Sequence, residues 1–285
     1  MRDAGHFKTL PPVRPNAGTE ARYRRQLLAL VHEMNKSVLF WISATYKANE
    51  PVIARDELPY AVLQRVLNKL ARRWQKNFDE AAEKMARYYA QAANKRSAKV
   101  LEGILRDAGI SVKFKMTDAA RDVMNASIAE QVGLIKSIPK KYFTDVEGLV
   151  MRSVQGGRDL AYLTEQLGDK VDLRRIGRGR KPGESDKSLA ARTAKRAAFI
   201  ARDQNNKATA SMTRVRQAEL GINEAIWVHS GGGKEPRPTH LAAGKRKQRY
   251  DVSEGWYDPD VGRYIFPGEL PNCRCVSRAV VPGFS

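Results

Sequence analysis

Three side chains late in the sequence have the types and spacing for chemistry: His240, Cys273 and Cys275. One imidazole and two thiols can hold a zinc ion, with water or a carboxylate such as Asp251 or Asp258 as a fourth ligand. Cys-x-Cys is tighter than the two to four residues that usually separate paired zinc cysteines. The preferred reading is therefore packing, with the thiols as small buried hydrophobes and His240 satisfied in a turn. A cysteine nucleophile activated by histidine is also conceivable, although the sequence indicates no third residue to orient the imidazole. Gly231-Gly232-Gly233-Lys234 is a turn, because Val228 and Glu235 stand where a phosphate loop needs glycine and Ser/Thr. Asp258 and Asp260 flank Pro259 in an ordinary turn pattern. There is no His-Glu-x-x-His, no paired-aspartate metal pattern and no nucleophile elbow. The expectation is a protein that is not an enzyme and needs no cofactor. The alternative is a metal-assisted nuclease or a Cys/His hydrolase centred on His240, Cys273 and Cys275.

Charge points to a partner. The 285 residues carry 51 Lys+Arg against 31 Asp+Glu, a formal net charge of +20. Self-repulsion of that size is relieved by polyanions, so nucleic acid, such as double-stranded DNA, is the first candidate partner and an anionic membrane surface the second. The basic residues cluster twice, as Arg174, Arg175, Arg178, Arg180 and Lys181 among glycines, and as Lys245, Arg246, Lys247 and Arg249. Basic side chains interleaved with glycine can follow a phosphate backbone, and no base-reading motif accompanies them, so the contact expected is independent of sequence. A membrane is not expected: the longest strongly apolar run, Val38 to Ile42, falls far short of the ~20 residues a spanning helix needs. The first residues lack an apolar signal core, and two cysteines one residue apart suit a reducing compartment.

The elements that must position these residues are mainly helical. Residues 1–18, with Pro11, Pro12, Pro15 and Gly18, read as a flexible or partner-bound arm. A helix from about Glu20 to Ala48 carries Leu27, Val31, Met34, Val38, Trp41 and Thr45 on one stripe. A second, starting near Asp56, carries Leu63, Leu67, Leu70, Trp74, Phe78, Ala81, Met85, Tyr88 and Ala92, with no Gly or Pro from Tyr60 to Glu102. A helix that long suggests a hairpin or an inter-subunit seam, so residues 19–110 are expected to contact partners or another copy. Ser111 to Met116 suits a short strand or an extended crossover. Helices are then expected over Asp118–Ser137 and Tyr142–Gln155, divided at Pro139, over Asp159–Leu167, and from Ser188 to Leu220. From Ile222 the short apolar runs Ala225–Val228, Tyr264–Phe266 and Val276–Val281 read as strands of a small mixed module. The fold class expected is mainly α, with long N-terminal helices, a central helical region and a small α+β module over 222–285. Residues 111–285 are taken together as one module.

A set of residues in this last region resembles a known family. Arg202 sits on the long helix ending at Gly221. Trp227, Arg237, His240 and Gly244 follow in order, then Pro267, Gly268 and the tetrad Asn272-Cys273-Arg274-Cys275. In this order and spacing the chain, over roughly Thr117 to Val281, resembles the Mu F-like phage head morphogenesis proteins, or minor head proteins. The resemblance implies a low-copy protein of the tailed-phage virion, in the head interior near the portal vertex, that assembles in the host cytoplasm. The portal protein and packaged DNA are the implied partners, with a major capsid or scaffold protein as a further one. Some relatives carry a toxin or enzyme domain after the shared module; this sequence stops at Ser285, and none is expected. Where the family usually has an acidic residue ahead of its arginine, this sequence has the glycine turn and Lys234, which weakens any proposed active site.

Overall fold

A computed structural model describes residues 7–48, 59–156, 159–168, 187–232 and 235–282. In chain order the elements are β1 (Phe7–Thr9), α1 (Ala17–Ala48), α2 (Pro59–Asp107), α3 (Asp118–Gln155), α4 (Leu160–Leu167) and α5 (Leu189–Glu219). They continue with β2 (Glu224–Val228), α6 (Pro238–Lys245), β3 (Arg249–Asp251), β4 (Trp256–Asp258), β5 (Arg263–Ile265) and β6 (Val276–Pro282). The mainly helical class and the small C-terminal α+β module are as expected. No described helix is long and apolar enough to cross a membrane.

Two compact units share these elements, and neither is continuous in sequence. One takes residues 1–20, 87–129 and 202–285; the other takes 21–86 and 130–201. The boundary expected near residue 110 does not divide the units. Instead α2 leaves the all-helical unit at Ala86 and α5 leaves it at Ala201.

In the all-helical unit, α1 buries Tyr23, Leu27, Val31, Met34, Val38 and Ile42, a period of three and four that faces one side. Tyr142 on α3 donates to Asn35 Oδ1 at 2.7 Å, and Tyr46 donates to Ser153 Oγ at 3.0 Å, which ties α1 to α3 through buried hydroxyls. Leu63, Leu67, Leu70, Trp74, Phe78 and Met85 are all buried within the chain. The long stripe therefore does not need a partner to cover it. Past Phe78 the buried face passes to Ala82, Ala86, Tyr89 and Ala93, leaving Tyr88 exposed, and on α1 Ile42 is buried in place of Trp41. A 3.6-residue turn drifts from a strict seven-residue repeat, so a stripe read at fixed spacing slips by a residue over several turns.

Pro139 does not divide the third helical segment: α3 runs unbroken through it. Proline removes one N–H and crowds the carbonyl of residue i−4, which opens the turn. Side chains of two other helices bond to the turn before Pro139. Gln75 of α2 donates to the Lys136 carbonyl at 3.3 Å, and Arg196 of α5 donates to Ser137 Oγ at 2.9 Å. Ile135, Ile138 and Tyr142 are buried around it, so packing outweighs the missing hydrogen bond. The brief helix α4 starts one residue later than expected, because Asp159 caps it by accepting from Tyr162 N at 2.9 Å, and Gly168 ends it at φ 93°.

In the other unit a four-stranded antiparallel sheet has the order β1-β6-β2-β3, and β4 pairs with β5 as a separate hairpin. The N-terminal arm is not free. Phe7, Lys8 and Thr9 pair with Pro282, Val281 and Val280, and Leu10 and Val13 are buried with Leu101, Leu105, Ile222 and Ala279. The prolines that suggested an arm fall after the strand, where the edge needs no further donors. Residues 110–117 form a crossover without a strand, with Val112 and Phe114 packed on this cluster. Arg216 of α5 reaches Ser97 Oγ at 2.6 Å and the Asn94 carbonyl at 3.2 Å, fastening α5 to the second half of α2. Burial lowers its pKa from the usual arginine value, opposed by Glu219 and Glu102.

Candidate functional site

His240, Cys273 and Cys275 converge. His240 lies in the first turn of α6, behind Arg237 and a helix-starting Pro238, and the cysteines lie in the turn that leads into β6. The Cys273 sulfur is 3.5 Å and the Cys275 sulfur 3.8 Å from His240 Nδ1. The opposite ring nitrogen, Nε2, is 3.2 Å from Asp258 Oδ2 at the end of β4, out of hydrogen-bond alignment. Thr239 Oγ1 donates to the same oxygen at 3.3 Å, and the Asp260 N–H donates to Asp258 Oδ1 at 3.0 Å. All four side chains are buried, with Asp258 at 0% exposure. The Cys275 thiol, hydrogen-bonded to Cys273, draws the Cys273 thiol down to about 4 against the effect of burial, and His240 adds to the fall. Cys275 is pushed up in turn, first by that same bond and then by burial.

Asp258 is thus the orienting residue that the sequence did not indicate; its place beside Pro259 looked like ordinary turn chemistry. Asp251 is not a ligand candidate. It accepts from Ser253 N at 2.7 Å and Glu254 N at 3.2 Å in an exposed turn, and its bonds to Ser253 hold its carboxyl below the usual aspartate range. Thiol, imidazole and carboxylate in sequence could support nucleophilic catalysis. Their burial argues against it, because a substrate carbonyl or phosphate must reach the sulfur.

The family-pattern residues build the scaffold of this centre. Asn272 sits at φ 63°, a left-handed conformation that asparagine tolerates better than most residues. Its N–H donates to the buried carboxylate of Asp203 at 2.6 Å, and its side chain accepts from Arg202 at 2.8 Å. Arg237 donates to the Pro271 carbonyl at 3.0 Å, and Asn206 donates to the Cys273 carbonyl at 3.4 Å. Gly268, beside the buried Pro267, has φ 85°, and a Cβ there would lie 2.8 Å from Ala210 Cβ. Its N–H points at the Cys273 sulfur at 3.4 Å. Gly244 admits no side chain either, since a Cβ would lie 2.4 Å from His229 Cβ. Trp227, fully buried on β2, packs edge-on to His240 at 4.9 Å and to Trp256 at 5.3 Å between ring centroids. Arg274 is half-buried between the two cysteines, against Gly232. Asp203 and Asn206 were given no role by sequence reading. Their signal was two polar residues on the buried face of a helix.

The basic clusters fare differently. Arg174, Arg175, Arg178, Arg180 and Lys181 lie outside the described residues. Lys245, Arg246 and Lys247 are exposed at the C-terminal end of α6, where cations complement the helix dipole. Arg246 donates to Gln248 Oε1 at 2.9 Å, and Arg249 is paired with Glu224 at 2.9 Å. Two of these four side chains therefore have neighbours that already use their donors.

Residues 144–278 match the family described as Phage Mu protein F like protein. The chain is also 27% identical over 275 residues to an uncharacterized protein of Haemophilus influenzae, an alignment covering 95% of this chain and 55% of that protein. The chain thus spans about half the length of the curated relative it matches. No solved structure matches. The matched stretch, a little under half of the chain, runs from the second half of α3 into β6 and takes in Asp203, Trp227, His240, Asn272, Cys273 and Cys275, so the buried centre and the turn that frames it lie inside the region that is similar to the Phage Mu protein F like family.

Proposed function

We propose that this protein is a minor head protein acting in head assembly at the portal vertex, where it contacts packaged DNA without sequence specificity. The observation that carries the reading is the family match over residues 144–278, which is one of phage head morphogenesis and implies a place in the virion. The net charge of +20 supports the DNA half of the proposal. The glycine-spaced arginines from Arg174 to Arg180, with Lys181, are the first phosphate contacts, and Lys245 and Lys247 the second. Contact with the portal protein is assigned to the all-helical unit. Its support is apolar surface on α1, where Phe40 and Trp41 stand 64% and 45% exposed and pack edge to face at 5.4 Å.

Cross-linking inside procapsids, read by mass spectrometry, tests the assignment. Cross-links are expected between α1 peptides and the portal. Cross-links confined to the major capsid or scaffold protein would remove the portal-vertex reading. Hydrolase or nuclease chemistry at the Cys273–His240–Asp258 arrangement is the second reading, favoured by the orienting carboxylate. Turnover of nucleic acid or ester substrates that disappears in Cys273→Ser would establish it in place of the structural role.

A further inference from the structure

We propose that His240 Nδ1 and the sulfurs of Cys273 and Cys275 form a binding site for a soft divalent transition metal, zinc, with Asp258 orienting the imidazole from behind. Among the described residues these three ligand atoms form a buried group, all within 4.8 Å of one another. Zinc sits about 2.3 Å from sulfur and about 2.0–2.1 Å from nitrogen, so a tetrahedral site holds each sulfur about 3.6 Å from the nitrogen. The distances found are 3.5 and 3.8 Å.

A neutral imidazole nitrogen has one lone pair and accepts from one thiol, yet two sulfurs approach the same Nδ1. Asp258, on the other side of the ring, favours the tautomer with its proton on Nε2 and so leaves the Nδ1 lone pair facing the sulfurs. A small turn of the ring would align that N–H on the carboxylate and complete the carboxylate–histidine–metal arrangement by which proteins fix a ligating imidazole. Charge agrees as well: two buried thiolates balance one divalent cation, whereas two buried thiolates alone would repel. The short Cys-x-Cys spacing is no obstacle. The left-handed Asn272 before it and the Gly268 N–H beneath the Cys273 sulfur turn the two side chains to one side. The three protein ligands leave a fourth position to a solvent molecule. The metal joins α6 to the turn before β6, and through Asp258 it orders β4, so its role is to hold the module together.

The full chain, purified under reducing conditions without chelator, should contain about one zinc per molecule. Replacing zinc by cobalt should give thiolate-to-metal charge-transfer absorption and the ligand-field bands of a tetrahedral ion. Cys273→Ser and Cys275→Ser should lose the charge-transfer signature. Should those variants fail to fold, alkylating both thiols of the wild-type protein should release the zinc. Asp258→Asn keeps an oxygen for the Asp260 N–H but removes the charge beside His240, and is expected to keep the wild-type circular dichroism while weakening zinc affinity by tenfold to a hundredfold. Folded wild-type protein that takes up neither zinc nor cobalt overturns the site. So does a cobalt spectrum unchanged by the cysteine substitutions.

Discussion

The carboxylate of Asp203, on α5, accepts the backbone N–H of Asn272 at 2.6 Å across 69 residues of sequence. This bond fixes the turn from which both cysteines project. Lys207 lies 3.5 Å from the same carboxylate, and Arg202, on the adjacent residue, holds the Asn272 side chain. A helix thus grips both the backbone and the side chain of one left-handed residue.

Breaking that grip should be measurable. Asn272→Ala loses a charge-assisted hydrogen bond and leaves in the left-handed region a residue without the local polar side chain by which asparagine tolerates it, for about 2–3 kcal/mol in total. Asn272→Gly keeps the conformation and should cost roughly half as much. Urea denaturation of the full chain reads both. Equal losses in the two variants would mean that φ contributes nothing.

The glycines separate crowding from conformation. Gly244→Ala meets His229, and Gly268→Ala meets Ala210 at a positive φ, so each should cost about 1–3 kcal/mol or more. Gly262→Ala, at φ 71° with open space around it, should cost about 1 kcal/mol. Thermal unfolding of the three variants should rank Gly262→Ala as the mildest, and any other order contradicts the packing described.

Alkali should act through two buried hydroxyls. Burial raises both Tyr142 and Tyr250 well above the ordinary tyrosine value, with Tyr250 partly relieved by its bond to Ser277 and by Arg214. In the unfolded chain each loses its proton near pH 10. The unfolded state then holds fewer protons than the folded one, so stability is complete below about pH 10 and falls as pH rises beyond it. Phenolate absorbance should show both hydroxyls silent until the protein unfolds, and Tyr142→Phe should flatten the alkaline slope. Ionisation of both in still-folded protein, alongside the exposed Tyr257 and Tyr264, would contradict this.

DNA contact should show itself in salt. About six phosphate contacts give a slope near −5 for log K against log salt. Replacing Arg174, Arg175, Arg178 and Arg180 with Gln should flatten the slope and leave the circular dichroism unchanged. A slope identical to wild type would move the contact elsewhere on the chain.

Local signals carried most of the fold. Periodicity marked α1, α2, α4 and α5, because it depends on near neighbours alone. Two failures have one physical cause. Pro139 looked like a break because its stabilising partners, Gln75 and Arg196, lie about sixty residues away in either direction. Phe7 to Thr9 looked unstructured because a three-residue edge strand exists only through its pairing with β6. The candidate site was half legible. Residue type picked out His240, Cys273 and Cys275 and raised Asp258 as a further ligand beside Asp251, while its place behind the ring and the grip of Asp203 on the cysteine turn depend on contacts distant in sequence.

The strand order has a consequence for how the chain is made. β6 lies between β1 and β2, so the first and last described strands are neighbours, and the sheet has a gap at its middle until residue 276 and those after it arrive. During synthesis β1 waits unpaired while some 270 residues follow it, and β2 has only β3 for company. A ribosome that stalls before β6 therefore releases a product whose all-helical unit can close but whose sheet cannot. Such products expose two unsatisfied strand edges to proteases and chaperones, and a quality filter acting there would pass only those chains whose cysteine turn has already been made.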